Sequence, residues 1–486
     1  MAWLKGKNSE DLAYHQSLES HEFLPQPSDG IPMFCDCSSL IQFNPPALFY
    51  GVAVCDLDRD GAFELFVCGF RGPNRVLKWN GQALVDLVDD TLADAGRMAI
   101  GVAAGDFDGD GQEELYVLNT DTFGGRKRFG DRLFDWQGSR WVDLFSLPHN
   151  QDALNLTAGR SVACVDRLGR GQYGFFVANY GGPMRLYELG SNQMIADVAP
   201  EAGVNRITGG RGLVAVPLVS QRMDIFAVNE QGPNFLFRNR GDGTFEEIAA
   251  EVGLADPNEH GRGVAAVDLD GDGRLDLVYG NWEGPHRLWI QTPSGIFKNV
   301  APPELARPSR IRTVIAADFD NDGYPELFFN NIGEPNRLFG WRSGSWQAID
   351  IGEAAEPQGL GTGAAVADVD GDGRLELLIA HGESGAQPLS FYRPLANANN
   401  WLRVLPLTRQ GSPARGALVR LVTPGRLQIR PIDAGSGYLC QMEPVAHFGL
   451  GSETVVKEIQ IQWPDGKEVQ VVNPPVNQLL RIPYPG

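Results

Sequence analysis

The chain lacks the marks of several function classes. No run of eighteen apolar residues occurs in its 486 residues, so no segment reads as a membrane-spanning helix. Basic residues are in deficit, 41 against 61 acidic, and form no long stretch. The net charge of −20 therefore disfavours nucleic acid or an anionic membrane as partner. The seven His residues include no metal-spaced pair, and no Gly-x-Ser-x-Gly elbow, Walker loop or dinucleotide fingerprint stands out. The six Cys residues are too scattered for a disulfide framework or paired zinc knuckles. Cys55 and Cys164 fall just before equivalent repeat positions, where a small buried hydrophobe is expected. The first thirty residues carry Lys5, Lys7, Glu10, Asp11, Glu19, Glu22 and Asp29 and show no apolar h-region. Three expectations stay open: a cytoplasmic protein as sequenced, export by a route the sequence does not show, or a misassigned start.

What the chain does have is one acidic pattern, repeated. Carboxylates stand at positions one, three, five and nine of five loops. They are Asp56, Asp58, Asp60 and Glu64; Asp106, Asp108, Asp110 and Glu114; Asp268, Asp270, Asp272 and Asp276; Asp318, Asp320, Asp322 and Glu326; and Asp368, Asp370, Asp372 and Glu376. A Gly at position six permits a sharp turn. Alternate carboxylates around such a turn suit a hard cation such as Ca²⁺, and without one they repel each other. The loops are not EF-hands, because position twelve is Val67, Val117, Tyr279, Phe329 or Ile379 rather than Glu. Short runs of Gly and β-formers flank each loop, which places it between two strands of a hairpin. Twenty loop carboxylates account for most of the acidity. Repetition fits a structural staple better than a single reaction centre, and carboxylates used as ligands are not free for acid–base work.

The loop starts at 56, 106, 268, 318 and 368 leave room for two degenerate units. One is built on Asp166–Gly171, and the other runs from Ala215 through Asp224–Val228. A second phrase recurs after the second strand, as in Gly72-Pro73-Asn74-Arg75, Gly232-Pro233-Asn234-Phe235 and Glu334-Pro335-Asn336-Arg337. Four strands per unit of about fifty residues is a propeller blade, and the reading is a seven-bladed β-propeller over residues 31–396. Glycine, at 59 of 486 residues, suits so many turns. The seventh unit lacks a fourth strand, and residues 31–37 are expected to supply it and close the ring. Residues 1–30 are expected to be a flexible tail, and Gly124-Gly125-Arg126-Lys127-Arg128 a basic surface loop.

The loops resemble FG-GAP or VCBS repeats of integrin-alpha-type propellers. The tail over 397–486 resembles the ASPIC/UnbV module through Trp401-Leu402-Arg403-Val404, Gly416–Leu421, Gly435-Ser436-Gly437-Tyr438-Leu439, His447-Phe448-Gly449-Leu450-Gly451 and Ile461–Gly466. The whole is similar to a bacterial-type member of the cartilage acidic protein family. That resemblance implies Ca²⁺-binding propellers, often extracytoplasmic, with no single shared activity. The expected role is a Ca²⁺-stabilised binding or adhesion scaffold, acting as a monomer on a protein, glycan or small anionic ligand. The alternative is an enzyme or accessory protein of a specialised-metabolite pathway, with its pocket at the channel mouth.

A further register bears on that mouth. Six residues before each loop start, taking Pro217 as the start in the loopless fourth unit, stand Tyr50, Ile100, Arg160, Arg211, Arg262, Arg312 and Thr362, followed by small residues. The four Arg side chains are expected to gather at one mouth of the channel as an anion-binding arc. The competing expectation is that each pairs with a local carboxylate between blades.

Overall fold

The computed structural model describes residues 30–486. The tail expected over residues 1–30 lies almost wholly outside them. Seven sets of four antiparallel strands follow one another. Blade 1 is Phe49–Cys55, Glu64–Gly69, Arg75–Trp79 and Leu84–Asp86, and blade 2 is Ala99–Gly105, Glu114–Asn119, Arg132–Trp136 and Trp141–Asp143. Blades 3 to 6 begin with Gly159–Val165, Ile207–Val216, Gly261–Val267 and Ile311–Ala317. Blades 3 and 4 join into one eight-stranded sheet, because the long strand Gly174–Pro183 also pairs with Ile207–Val216. Blade 7 has Gly361–Ala367, Glu376–His381 and Ser390–Pro394, and its fourth strand is Phe34–Asp36, which pairs with Ser390–Pro394. The first strand of each blade lies against that of the next, and that of blade 7 against blade 1, so the ring closes.

The recurring phrase after the second strand has a structural cause. Asn74, Asn234 and Asn336 accept from the backbone N–H of Gly69, Asn229 and Asn331 at 2.9, 3.0 and 2.8 Å. Their amides donate to Leu92, Leu254 and Ala354 carbonyls, tying the turn to the short helix or turn after the fourth strand. Apolar residues alternating out of both sheet faces pack blade on blade, as with Phe107, Tyr116 and Phe175 between blades 2 and 3. Small residues hold the axis. A Cβ on Gly51 would meet the Leu439 carbonyl and Gly101, and one on Gly263 would meet the backbone of Arg312–Val314.

The C-terminal segment forms a three-stranded sheet, with Asn400–Pro406 between Ala446–Gly451 and Leu479–Ile482. A four-stranded sheet runs in the order Leu427–Pro431, Leu418–Val422, Glu458–Gln462, Glu468–Val472. Leu402, Val419, Phe448, Ile459 and Trp463 fill the space between them. These sheets do not stand apart from the ring. The segment 433–443 threads the central channel, so an open channel is not what the structure shows. The innermost strand of each blade faces the axis with an unpaired edge, and buried backbone groups need partners. The threaded segment supplies them. Val54 N–H donates to the Gln441 carbonyl at 3.1 Å, Val102 to Leu439 at 3.2 Å, Cys164 to Ala434 at 2.8 Å and Val264 to Gly437 at 2.7 Å. The Gln441 amide also pairs with both backbone groups of Ala104, at 2.8 and 2.9 Å.

Candidate cation loops and the arginine mouth

All five acidic loops adopt one geometry. The ninth-position carboxylate opens the second strand, opposite the residue before the loop, as in Cys55 with Glu64 and Gly105 with Glu114. From there one of its oxygens accepts from the N–H of loop position two: Leu57, Phe107, Leu269, Phe319 and Val369, at 2.6, 2.5, 2.8, 2.9 and 2.9 Å. The first Asp accepts from the N–H of the Gly at position six, at 2.9 to 3.1 Å. That Gly has φ between 82° and 90° in every loop, a left-handed conformation that disfavours other residues. Positions one, three and nine then bring carboxylate oxygens within 4.8 Å of one another in each of the five loops.

Such clusters could hold a metal ion, and their electrostatics favour one. Burial, followed by neighbouring carboxylates, pushes Asp106 up to about 7, Asp268 to about 6 and Asp270 to about 7. The same causes hold Glu114, Asp276 and Glu376 well above the ordinary carboxylate range. A bound cation would remove the mutual repulsion and restore the charged form. The degenerate units need none. In blade 4, Asp224 is satisfied by the N–H groups of Val219 and Ser220, both at 2.8 Å. In blade 3, Asp166 accepts from Arg170 and Gly171 at 2.9 and 2.7 Å.

The C-terminal sheets cover this face of the ring. Ser412 donates to Asp106 at 2.8 Å, Arg403 pairs with Asp368 at 2.9 Å, and Gly449 N–H donates to Asp318 at 3.0 Å. His447, buried and held well below its ordinary pKa by burial, meets Asn321 Oδ1 at 2.6 Å. Arg415 is fully buried between the threaded segment and blades 1 and 2, with Nε 2.5 Å from Glu113.

The opposite end of the channel holds the arginine register. Arg160, Arg211, Arg262 and Arg312 all come close to Tyr438, at the tip of the threaded segment. Burial would raise that phenol, but the four guanidinium groups bring it below the ordinary tyrosine value. Arg211 Nη1 donates to Tyr438 Oη at 3.2 Å. Carboxylates are present too: Arg211 and Arg262 share Glu230, and Arg312 pairs with Glu383. Burial acts to raise Glu230, but the two guanidinium groups more than offset it and hold Glu230 at about 2. Arg160 has no carboxylate partner among the described residues and bonds the Thr122 and Phe123 carbonyls. Aromatic rings cover the cluster, Phe123 over Arg160 and Arg211, and Trp282 over Arg262 and Arg312. The blade 2 insertion is thus more than a solvated loop. Its Phe123 reaches over the mouth, and its Lys127 is buried against Asp131 and the Asn119 carbonyl.

Comparison with known proteins agrees with this architecture. An FG-GAP-like repeat model matches residues 42–117, 221–279 and 268–329, and the ASPIC and UnbV model matches 407–486. Cartilage acidic protein 1 of Xenopus tropicalis is 48% identical over 483 residues, covering 91% of this chain and 74% of that protein. The Homo sapiens protein is also 48% identical, with 91% and 73% covered. The chain belongs to the cartilage acidic protein family. Among solved structures it is similar to Saccharomyces cerevisiae Sqt1, with a TM-score of 0.45, 12% identity, and 75% and 98% of the two chains covered. For this family member, repeats of this kind joined to an ASPIC/UnbV module suggest a binding or scaffold role. No helix among the described residues is long and apolar enough to cross a membrane.

Several residues escaped the sequence reading. The roles of Tyr438, within a tail motif, and of Gln441 and Arg415, just outside one, were hidden because nothing in the spacing tells that the segment enters the ring. Lys78, Asp135, Arg342 and Arg393 sit on third strands, and only the register of each strand against its loop reveals them.

Proposed function

We propose that this protein is a Ca²⁺-stapled binding scaffold, and that its ligand-binding surface is the arginine and aromatic mouth on the face away from the cation loops. One observation carries the reading. Four guanidinium groups converge at one end of the channel, where the Nε donors of Arg160, Arg211 and Arg262 are buried without a partner among the described residues. Unpaired buried donors cost free energy that a ligand oxygen would recover. Glu230 and Glu383 neutralise two of the four charges, which leaves a surplus suited to an anion. The loops suit Ca²⁺ better than Mg²⁺, because flexible carboxylate ligands can supply six to eight oxygens while Mg²⁺ demands a tight octahedron.

Thermal unfolding tests both parts. Millimolar Ca²⁺ is expected to raise the melting temperature above that in EGTA, and Mg²⁺ much less. Equal values in all three would remove the staple. Sulfate, added to the Ca²⁺-loaded protein at concentrations that leave Ca²⁺ in solution, is expected to raise it further. That increment should vanish in Arg211→Ala/Arg262→Ala while the Ca²⁺ increment stays. Anion increments equal in both proteins would refute the mouth as the site.

A further inference from the structure

The five loops share a sequence pattern but not a charge environment, and the third strand of each blade sets the difference. Its register is fixed by the pairs Leu65 with Leu77, Leu115 with Phe134, Leu277 with Trp289 and Leu377 with Tyr392. The next residue along stands level with the loop. It is Lys78 in blade 1, Asp135 in blade 2, Ile290 in blade 5 and Arg393 in blade 7. The Lys78 ammonium lies 2.5 Å from Asp58, 2.8 Å from Asp60 and 2.7 Å from Glu64, with its side chain only 12% exposed. The ammonium hydrogen-bonds Asp58 and stands within ion-pair distance of all three carboxylates. In blade 7, Arg393 pairs with Asp370 at 2.6 Å, while Arg403 takes Asp368 at 2.9 Å and Arg374 takes Asp372. In blade 6 the register position is Gly340, and the cation comes from two residues further on. Arg342 is buried and reaches Asp320 at 2.7 Å, Asp322 at 3.1 Å and Glu326 at 2.5 Å.

Blades 2 and 5 differ. Among the described residues, only Asp110 of blade 2 is ion-paired, with the exposed Arg59, and no cationic side chain lies within 4.0 Å of Asp106, Asp108 or Glu114. Asp135 adds a further carboxylate beside Asp108 and Asp110, where blades 1 and 7 place a cation. In blade 5 only Asp272 is ion-paired among the described residues, with Arg274, which leaves Asp268, Asp270 and Asp276. A divalent ion and a basic side chain cannot share one set of oxygens without strong repulsion.

We propose that Lys78, Arg342 and Arg393 are tethered cations that stand in for the divalent ion in blades 1, 6 and 7, and that blades 2 and 5 are the divalent-cation sites. This rests on the calcium reading above and narrows it from five sites to two. A tethered cation is always present, so three blades would stay stapled whatever the free Ca²⁺ level. The two others would respond to it.

Native mass spectrometry of the full chain with Ca²⁺ counts the bound ions. The wild type is expected to hold two, Lys78→Met three and Asp270→Asn one. Asp58→Asn should still hold two, because its loop carries no ion to lose. A wild-type count of one, three, four or five would overturn this assignment and leave the calcium reading standing. A count of zero in the wild type and in Lys78→Met would remove both. Lys78→Met remaining at two would overturn the claim that the ammonium excludes the metal. If Lys78→Met does not fold, by circular dichroism, Asp58→Asn decides: a fall to one ion shows metal in blade 1 and refutes the proposal.

Discussion

Arg415→Met removes the centre of the joint between the ring and the C-terminal sheets. The guanidinium is fully buried. It bonds Glu113 through Nε at 2.5 Å and Nη2 at 3.2 Å, and the carbonyls of Val54, Asp433 and Met442 at 2.8, 2.9 and 3.3 Å. Methionine fills much of the volume but satisfies none of these groups. Breaking a buried ion pair by removing one partner costs about 3–5 kcal/mol, because the remaining charge is left uncompensated. Unfolding entropy of roughly 2.1 cal/mol/K per residue gives about 1 kcal/mol/K for a chain of this size, so the expected fall in melting temperature is about 3–5 °C. The assay is calorimetry in saturating Ca²⁺, with Arg415→Met/Glu113→Gln as the companion. Removing the orphaned charge as well should return more than half of the loss. A fall below about 1 °C in the single variant, or no recovery in the double, would refute the view that this pair holds the threaded segment in place.

In EGTA the melting temperature is expected to rise when pH falls from 7.5 to 6.5. Asp106, Asp270 and Glu64 are held at about 7 in the folded protein, above their unfolded values, so the folded state gains stability as they protonate and loses it as pH climbs through 7. The window lies at or above the ordinary His pKa, so the buried neutral His286 and His447 oppose the trend little; a fall in melting temperature would contradict the desolvated-loop account. Phe34→Ala should cost about 3–5 kcal/mol, since its buried ring meets Phe319 edge-on at 4.9 Å, whereas Phe43→Ala at an exposed site should cost far less; equal stabilities by denaturant titration would argue against the pairing of Phe34–Asp36 as a strut of the ring. Spectrophotometric titration should show one tyrosine ionising below the ordinary value, and Tyr438→Phe should abolish that step; an unchanged titration would place the four guanidinium groups elsewhere.

The loops, their spacing and the strands around them could be read directly because they are local. A turn of Asp-x-Asp-x-Asp-Gly with its ninth-position carboxylate folds on itself through bonds no more than seven residues apart, such as Leu57 N–H to Glu64. A repeat of about fifty residues gave the propeller because one four-stranded unit cannot bury its own faces. The family followed from the same repeats and the tail motifs. The tail's path through the axis was not legible. Gly435-Ser436-Gly437 reads as a turn in isolation, and what draws it inward is a ring of unpaired innermost strands that exists only once the blades have closed. The fate of each arginine was hidden for a related reason. Register alone brings Arg160, Arg211, Arg262 and Arg312 to one end of the channel, but the position of Glu230 depends on the end of another strand and that of Phe123 on an insertion. Likewise five loops of one pattern became electrostatically unequal only when third strands set Lys78 over one and Asp135 over another. Sequence determines what each segment forms with its near neighbours, and tertiary structure decides which distant charges and edges those segments must satisfy.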